Sequence, residues 1–302
     1  MPFAGCQKHK QKLIGKYFSK TVFFAAMSLF ISSLNSGSNG NCYYVGNERE
    51  AVLIDAGISC REVEKRMRRL ALDPQRLKGI FVSHEHSDHI RGIEVLSKKY
   101  QVPVYITAAC LQNSRLRLEP HLVIDYKGFE KIHLGNLCIT AFPKHHDACD
   151  PYSFIVNDEK IHVGIFTDIG IACKNLLHHF KLCHAAFLEA NYDTEMLQNG
   201  NYPYHLKKRI SGGRGHLSNQ QSLEVFLNYR APWMSHLLLA HLSKNNNCPK
   251  LVKDLFDAHA GHVHITVASR DEETPVFEIA GNISNQIIRK RQPAIQGQFV
   301  FD

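Results

Sequence analysis

No two of the nine cysteines are spaced as a CxxC pair, and the set (6, 42, 60, 110, 138, 149, 173, 183, 248) is odd and scattered. That excludes the common thiolate zinc motifs and a disulfide framework. It reads as free thiols in a reducing, cytoplasmic compartment. No uninterrupted apolar run reaches about 18 residues, so neither a spanning helix nor a membrane partner is expected. No Pro/Ser linker, low-complexity block or close repeat divides the 302 residues. Hydrophobic residues make up 44% of the chain, which supplies a sizeable core and excludes general disorder.

Acid is missing from the first 26 residues, which hold Lys8, Lys10, Lys12, Lys16 and Lys20. These five lysines supply most of the formal net charge of +8, so bulk charge is a weak pointer to a polyanionic partner. Local clusters must carry that weight. The apolar run 22–31 follows the lysines as a signal peptide would, but no small-x-small cleavage site comes after it. It continues into a glycine-rich turn, as a first strand does. Residues 1–26 are therefore read as an N-terminal extension, with Met27 as a candidate natural start. Residues 27–285 are read as one domain and 286–302 as an aperiodic tail.

Histidine, by contrast, is abundant, with 19 residues. The hydrophobic pattern predicts strands near 27–34, 42–46, 51–55, 79–82, 103–106, 121–125, 130–142, 152–157 and 161–166. Helices are expected over 59–72 and 87–100, the first with a basic solvent face. The second half alternates: helix 170–180, strand 184–189, helix 218–229, strand 236–240, helix 248–259 and strand 262–268. Ser218 and Gln221 form a capping box at the start of one helix. Strands followed by alternating helices and strands, twice over, predict two sheets with helices outside them.

The densest chemistry is His84-Glu85-His86-Ser87-Asp88-His89, at the exit of a short buried strand. Alternate positions on an extended turn let His84 and His86 address one ion, while Asp88 and His89 address a neighbour. Imidazole with carboxylate suits zinc, with manganese or iron as alternatives. One cluster cannot complete two shells. Further candidates each follow an apolar strand: one of His145, His146 and Asp147, then Asp168, then His241. Glu85, between two ligands, is either an outer support or solvated. His262 and His264 alternate on a strand with no acid at ligand spacing and are read as structural.

Taken together, these residues resemble the metallo-β-lactamase superfamily, and more narrowly its YycJ/WalJ (VicX-like) branch. The matching stretches are 33–42, 82–89, 146–148, 167–170, 188–191, 215–219 and 240–246. The resemblance implies a four-layer αββα sandwich (α/β, or α+β) and two divalent ions per chain, Zn2+ first and Mn2+ as the alternative. It places His84, His86 and His146 on one ion and Asp88, His89 and His241 on the other, with Asp168 between them. His146 is preferred to His145 because the branch pattern is His-Asp-Ala. Nucleases similar to ribonuclease Z carry a Glu and a His in comparable loops. By that likeness Glu189 orients His216, which protonates the leaving oxygen, while Asp88 also helps orient the attacking hydroxide.

Only 20 residues lie between Asp168 and Glu189 and 72 between Asp168 and His241, too few for the large β-CASP insertion. Substrate must then be held by this domain's own loops. Lys207, Lys208, Arg209 and Arg214 flank His216 and suit a phosphate backbone. Ser211–His216 is glycine-rich and reads as a segment able to close over substrate. The branch resemblance implies a 5′-to-3′ DNA exonuclease with nucleic acid as partner. Two alternatives share parts of this pattern: a thioester or lactone hydrolase of glyoxalase II type, and a non-catalytic regulator that keeps the fold.

Overall fold

The computed structural model describes Met1 and residues 28–281. Apart from Met1, the expected N-terminal extension and C-terminal tail lie outside the described residues. The chain first lays down β1 (Ser28–Asn35), β2 (Cys42–Gly46), β3 (Ala51–Ile54), β4 (Leu77–Phe81), β5 (Val104–Tyr105) and β6 (Val123–Ile124). It then forms β7 (Lys131–Leu134), β8 (Leu137–Pro143), β9 (Tyr152–Asp158), β10 (Ile161–Phe166), β11 (Ala185–Glu189), β12 (His236–Ala240) and β13 (His264–Val267). The last strand, β14 (Phe277–Ala280), returns to the first sheet beside β1.

Each sheet has seven strands, in the orders β14-β1-β2-β3-β4-β5-β6 and β13-β12-β11-β10-β9-β8-β7. Each is antiparallel on one side and parallel on the other, the parallel runs being β3 to β6 and β10 to β13. Parallel strands need crossovers, and the helices provide them. These are α1 (Cys60–Arg69), α2 (Ser87–Ile90), α3 (Ile93–Tyr100), α4 (Ala108–Asn113), α5 (Lys174–Phe180), α6 (Thr194–Asn199), α7 (Tyr204–Ile210), α8 (Asn219–Tyr229) and α9 (Pro249–Asp257).

Three apolar cores result. Leu29, Tyr43, Ile54 and Phe81 meet Ile139, Phe154, Phe187 and Leu238 between the sheets. The rings of Tyr43 and Phe187 are 4.9 Å apart across that layer. Val63, Met67, Ile93 and Leu96 cover the outside of the first sheet. Leu176, Phe180, Phe226, Val252 and Phe256 cover the outside of the second. This is the expected αββα sandwich. It also explains why β3 and β11 read as unbroken apolar runs: a strand covered on both faces has no polar side to alternate with.

Three local expectations change. The helix expected over 87–100 is two, broken at Arg91-Gly92, where the Gly92 amide donates to Ala56 O at 2.8 Å. A Cβ at Gly92 would stand 2.0 Å from Ile58 O, so the chain is too close there for a side chain. The strand expected over 130–142 is the hairpin β7–β8, turned at Gly135 with φ +60°. Arg66, expected on the solvent face of α1, is buried, because its guanidinium donates to Leu34 O, Asn35 Oδ1 and Asp271 O. Ser211–His216 forms a tight turn of its own: His216 N donates to Ile210 O and Gly215 N to Gly212 O, both at 2.8 Å.

Candidate metal centre and acid dyad

Parallel strands gather their outgoing loops at their C-terminal ends, and here both sheets do so at one rim. Asp55 follows β3, His84 to His89 follow β4, Asp168 follows β10, Glu189 ends β11 and His241 follows β12. His146 joins from the loop after β8. Asp55, Asp168 and His241 adopt φ of +61°, +56° and +56°, in the left-handed region that non-glycine residues disfavour. Backbone strain held at three strand exits around one cluster marks a site where side-chain direction outweighs local comfort.

Ligand-type atoms gather in four overlapping groups, each with all its atoms within 4.8 Å of one another. They are His84, His86 and His146; Asp88, His89 and His241; His84, His89 and Asp168; and Asp168, Glu189, His216 and His241. The first two are the two sets expected from the sequence. Asp168 faces both: its Oδ2 lies 3.3 Å from His89 Nε2, and its Oδ1 lies 3.7 Å from His146 Nε2 and 3.4 Å from His241 Nδ1. His145 is exposed and belongs to none of these groups.

The donors fit divalent cations. His146 Nε2, His241 Nε2 and Asp168 Oδ2 are buried and have no hydrogen-bond partner. Leaving such atoms unsatisfied costs about 1–3 kcal/mol each. Three of them pointing into one cluster suit a shared cation. His84 Nε2 stands 3.0 Å from His86 Nδ1, so the two ring nitrogens either share a proton or address one cation together. No cysteine is among the donors, and an all-nitrogen and oxygen set suits zinc, manganese or iron.

Supporting groups orient the imidazoles. His146 Nδ1 faces Gly215 O at 3.2 Å, and His84 Nδ1 faces Ser83 Oγ at 2.8 Å. Asp55 Oδ2 holds His89 Nδ1 at 2.7 Å and also accepts from Ser83 Oγ. Asn41 Nδ2 donates to Asp88 Oδ2, and the His241 amide donates to Ser36 Oγ at 2.7 Å. Glu85 resolves as an outer support, accepting from the Cys149 amide and so holding the His146 loop. Gly57 lies against the His84–His89 loop, where a Cβ would meet Asp88 O at 1.7 Å.

Glu189 is completely buried, and Oε1 lies 2.8 Å from His216 Nδ1 and 2.9 Å from His241 Nδ1. Its carboxylate also accepts from the amides of Asp168, Ile169 and Leu217. Burial would raise its carboxyl, but His216 and His241 outweigh that and pull it down to about 2. The same contest holds Asp168 well below the ordinary range, with His241 and His89 prevailing over burial. Burial lowers His89, yet Asp168, Asp55 and Asp88 together push it up to about 10. Burial takes His146 down to about 4, which keeps it a neutral donor.

The metal-ligand candidates open into a pocket lined by His86, Asp88, His146, Asp168, His216 and His241. Of the four expected phosphate contacts, Arg209 lines this pocket and pairs with Asp147. Lys207 and Lys208 line an adjoining depression, and Arg214 is exposed and lines neither. Sequence reasoning missed Asp55, Asn41, Asn191 and Lys144. Lys144 is buried beneath the centre and donates to Thr167 O at 2.8 Å. Asp55 carried the one usable signal, an acid ending a buried strand. Asn191 Nδ2 donates to His241 O at 2.7 Å, a contact with no sequence signature.

A family model described as "Metallo-beta-lactamase superfamily" matches residues 36–111. The Bacillus anthracis protein named exodeoxyribonuclease YycJ is 34% identical over 233 residues, covering 75% of this chain and 87% of that protein. Streptococcus pneumoniae exodeoxyribonuclease WalJ is 31% identical over 263 residues, covering 82% and 97%. Among solved structures, the metallo-β-lactamase fold protein YhfI from Bacillus subtilis shares the fold, with a TM-score of 0.66 at 16% identity over 83% of this chain and 99% of that one. By fold, ordered motifs and these relatives, the chain belongs to the metallo-β-lactamase superfamily, in the branch of YycJ and WalJ.

Proposed function

We propose that the protein is a metal-dependent phosphodiesterase that degrades DNA as a 5′-to-3′ exonuclease. The observation that carries this is the Glu189–His216 pair, 2.8 Å apart, with buried Glu189 behind a His216 that opens into the same pocket as the candidate metal ligands. A thioester expels a thiolate, which needs little help to leave. A nucleotide alkoxide needs a proton, and this dyad is built to deliver one. The exodeoxyribonuclease names of the relatives support DNA as the substrate class, and the polarity rests on the branch resemblance.

His84, His86 and His146 are assigned to one divalent ion and Asp88, His89 and His241 to a second, with Asp168 shared. Zinc is the first candidate and manganese the second. When bound, the ions supply Lewis acidity that activates water near neutral pH and stabilises charge on the phosphoryl oxygens. Asp88, partly exposed at the pocket mouth, accepts a hydrogen bond from the attacking water and aligns it. Glu189 holds His216 by Nδ1, which leaves Nε2 to donate to the departing oxygen. Arg209, pinned by Asp147, adds positive charge at the rim where phosphate enters.

The test is degradation of end-labelled DNA by the purified protein with zinc or manganese, alongside S-lactoylglutathione. Turnover of DNA with about two ions per chain is expected. Turnover of the thioester without action on DNA would sink the reading. DNA binding with no hydrolysis in any metal would point to a regulator that kept the fold.

A further inference from the structure

Helix α7 presents two faces of different character. Leu206, Arg209 and Ile210 line the candidate catalytic pocket. Tyr204, Lys207, Lys208 and Ser211, spaced i, i+3, i+4 and i+7, line the adjoining depression with Gln198. The helix is thus a ridge between the two. Tyr204 is 79% exposed, more than any other described large hydrophobic residue except Met1. Packing gives no reason for an aromatic ring there. Cations in the last turn of a helix have an ordinary role against the helix dipole, and Lys207 also donates to Gln198 O. That role does not explain a solvent-facing tyrosine one turn before them.

We propose that α7 is a stacking ridge for the strand being hydrolysed, which crosses it unpaired. One base lies on the Tyr204 ring, and the neighbouring phosphates run along Lys207 and Lys208 toward Arg209 and the metal-ligand cluster. This rests on the nuclease reading and adds to it where the substrate is gripped and in what form. An aromatic face beside lysines is the chemistry that holds single strands without regard to sequence, because every base has a π-face. A helix is about 10–12 Å across, and stacked nucleotides rise about 3.4 Å each. Tyr204 therefore meets a base about three nucleotides from the scissile phosphate.

The experiment uses the metal-loaded protein and a duplex with about six unpaired 5′ nucleotides, about twice the span of the ridge. 2-Aminopurine replaces the third base. Tyr204→Ala should raise KM about 5- to 150-fold, the range set by loss of one base–aromatic stack, with kcat little changed. Tyr204→Trp should restore KM, and the 2-aminopurine quenching seen with the parent protein should vanish in Tyr204→Ala and return in Tyr204→Trp. Lys208→Ala should flatten the dependence of log KM on log salt by about 0.7, the value for one phosphate on a single strand. Unchanged KM and quenching in Tyr204→Ala would overturn the proposal. Bis(p-nitrophenyl) phosphate, too small to reach Tyr204, separates the two readings. If the parent protein fails to hydrolyse both it and the tailed duplex, the nuclease reading falls.

Discussion

Glu189 Oε1 lies within hydrogen-bond reach of His216 Nδ1, at 2.8 Å, and the same oxygen holds His241 Nδ1 at 2.9 Å. One buried carboxylate therefore serves both the proposed acid and a proposed metal ligand. The two histidines should separate on mutation. His216→Ala should lower kcat on DNA by about 10²–10⁴ but spare p-nitrophenyl phosphodiesters, whose leaving group needs no proton. Metal content should stay intact. Glu189→Gln should lower turnover of both substrates and reduce bound metal, because His241 loses its orienting partner. Equal loss on both substrates in His216→Ala would refute the acid role.

Asp55 is fully buried and holds His89 Nδ1 at 2.7 Å. Asp55→Asn should weaken metal binding by about 10- to 100-fold, the usual cost of losing the carboxylate behind a ligating imidazole. Competition with a chromophoric chelator measures this, and unchanged affinity would count against His89 as a ligand.

Metal binding should release protons. Asp168, Asp55 and Asp88 outweigh burial and hold His89 protonated, with a pKa of about 10, so a cation taking its lone pair must displace that proton. Apparent affinity should therefore rise with pH through the neutral range. Calorimetric zinc titrations in buffers of different ionisation enthalpy report the proton count directly. A chelator should abolish turnover and lower the melting temperature, with both restored by zinc or manganese.

Acid should destabilise the fold away from the centre as well. Burial, with His264 adding to it, takes His236 down to about 4, and burial with His178 and His162 does the same to His179. Both are neutral when folded and return to 6.5 on unfolding. The unfolded chain thus binds more protons between these values, so this stability is present above 6.5 and is lost as pH falls toward 4. Urea melts in chelator at descending pH should show the loss, and His179→Gln with His236→Gln should flatten it.

Gly57→Ala tests the support under the histidine loop. Its Cβ would stand 1.7 Å from Asp88 O, against backbone that cannot swing aside. A stability loss of at least about 2 kcal/mol is expected, together with weaker metal binding as Asp88 shifts. A folded variant with unchanged metal affinity would show that the loop tolerates displacement.

The layers and most elements were legible because β10, β11 and β12 are buried on both faces and so read as apolar runs between turn signals. The breaks were not. The helix interruption at Gly92 arises from contact with Ala56 and Ile58, and the β7–β8 turn needed the positive φ of Gly135 to be seen. Helices α6 and α7 and strand β14 escaped notice because each is short and takes its order from neighbours. β14 pairs with β1, some 250 residues earlier. Arg66 looked solvated because sequence reports its charge but not the carbonyls of Leu34 and Asp271 above it.

His84, His86, Asp88 and His89 were evident from the sequence alone, since four ligand types in six residues after a buried strand constrain one another locally. Motif order added His146, Asp168, His241, Glu189 and His216. Only the tertiary structure decided that His146 turns inward while His145 is exposed, that Asp168 faces both donor groups, and that Glu189 serves two histidines at once. The reason is physical. Side-chain type is local information, but direction depends on positive-φ strand exits, and partnership depends on six loops meeting at one rim of two sheets.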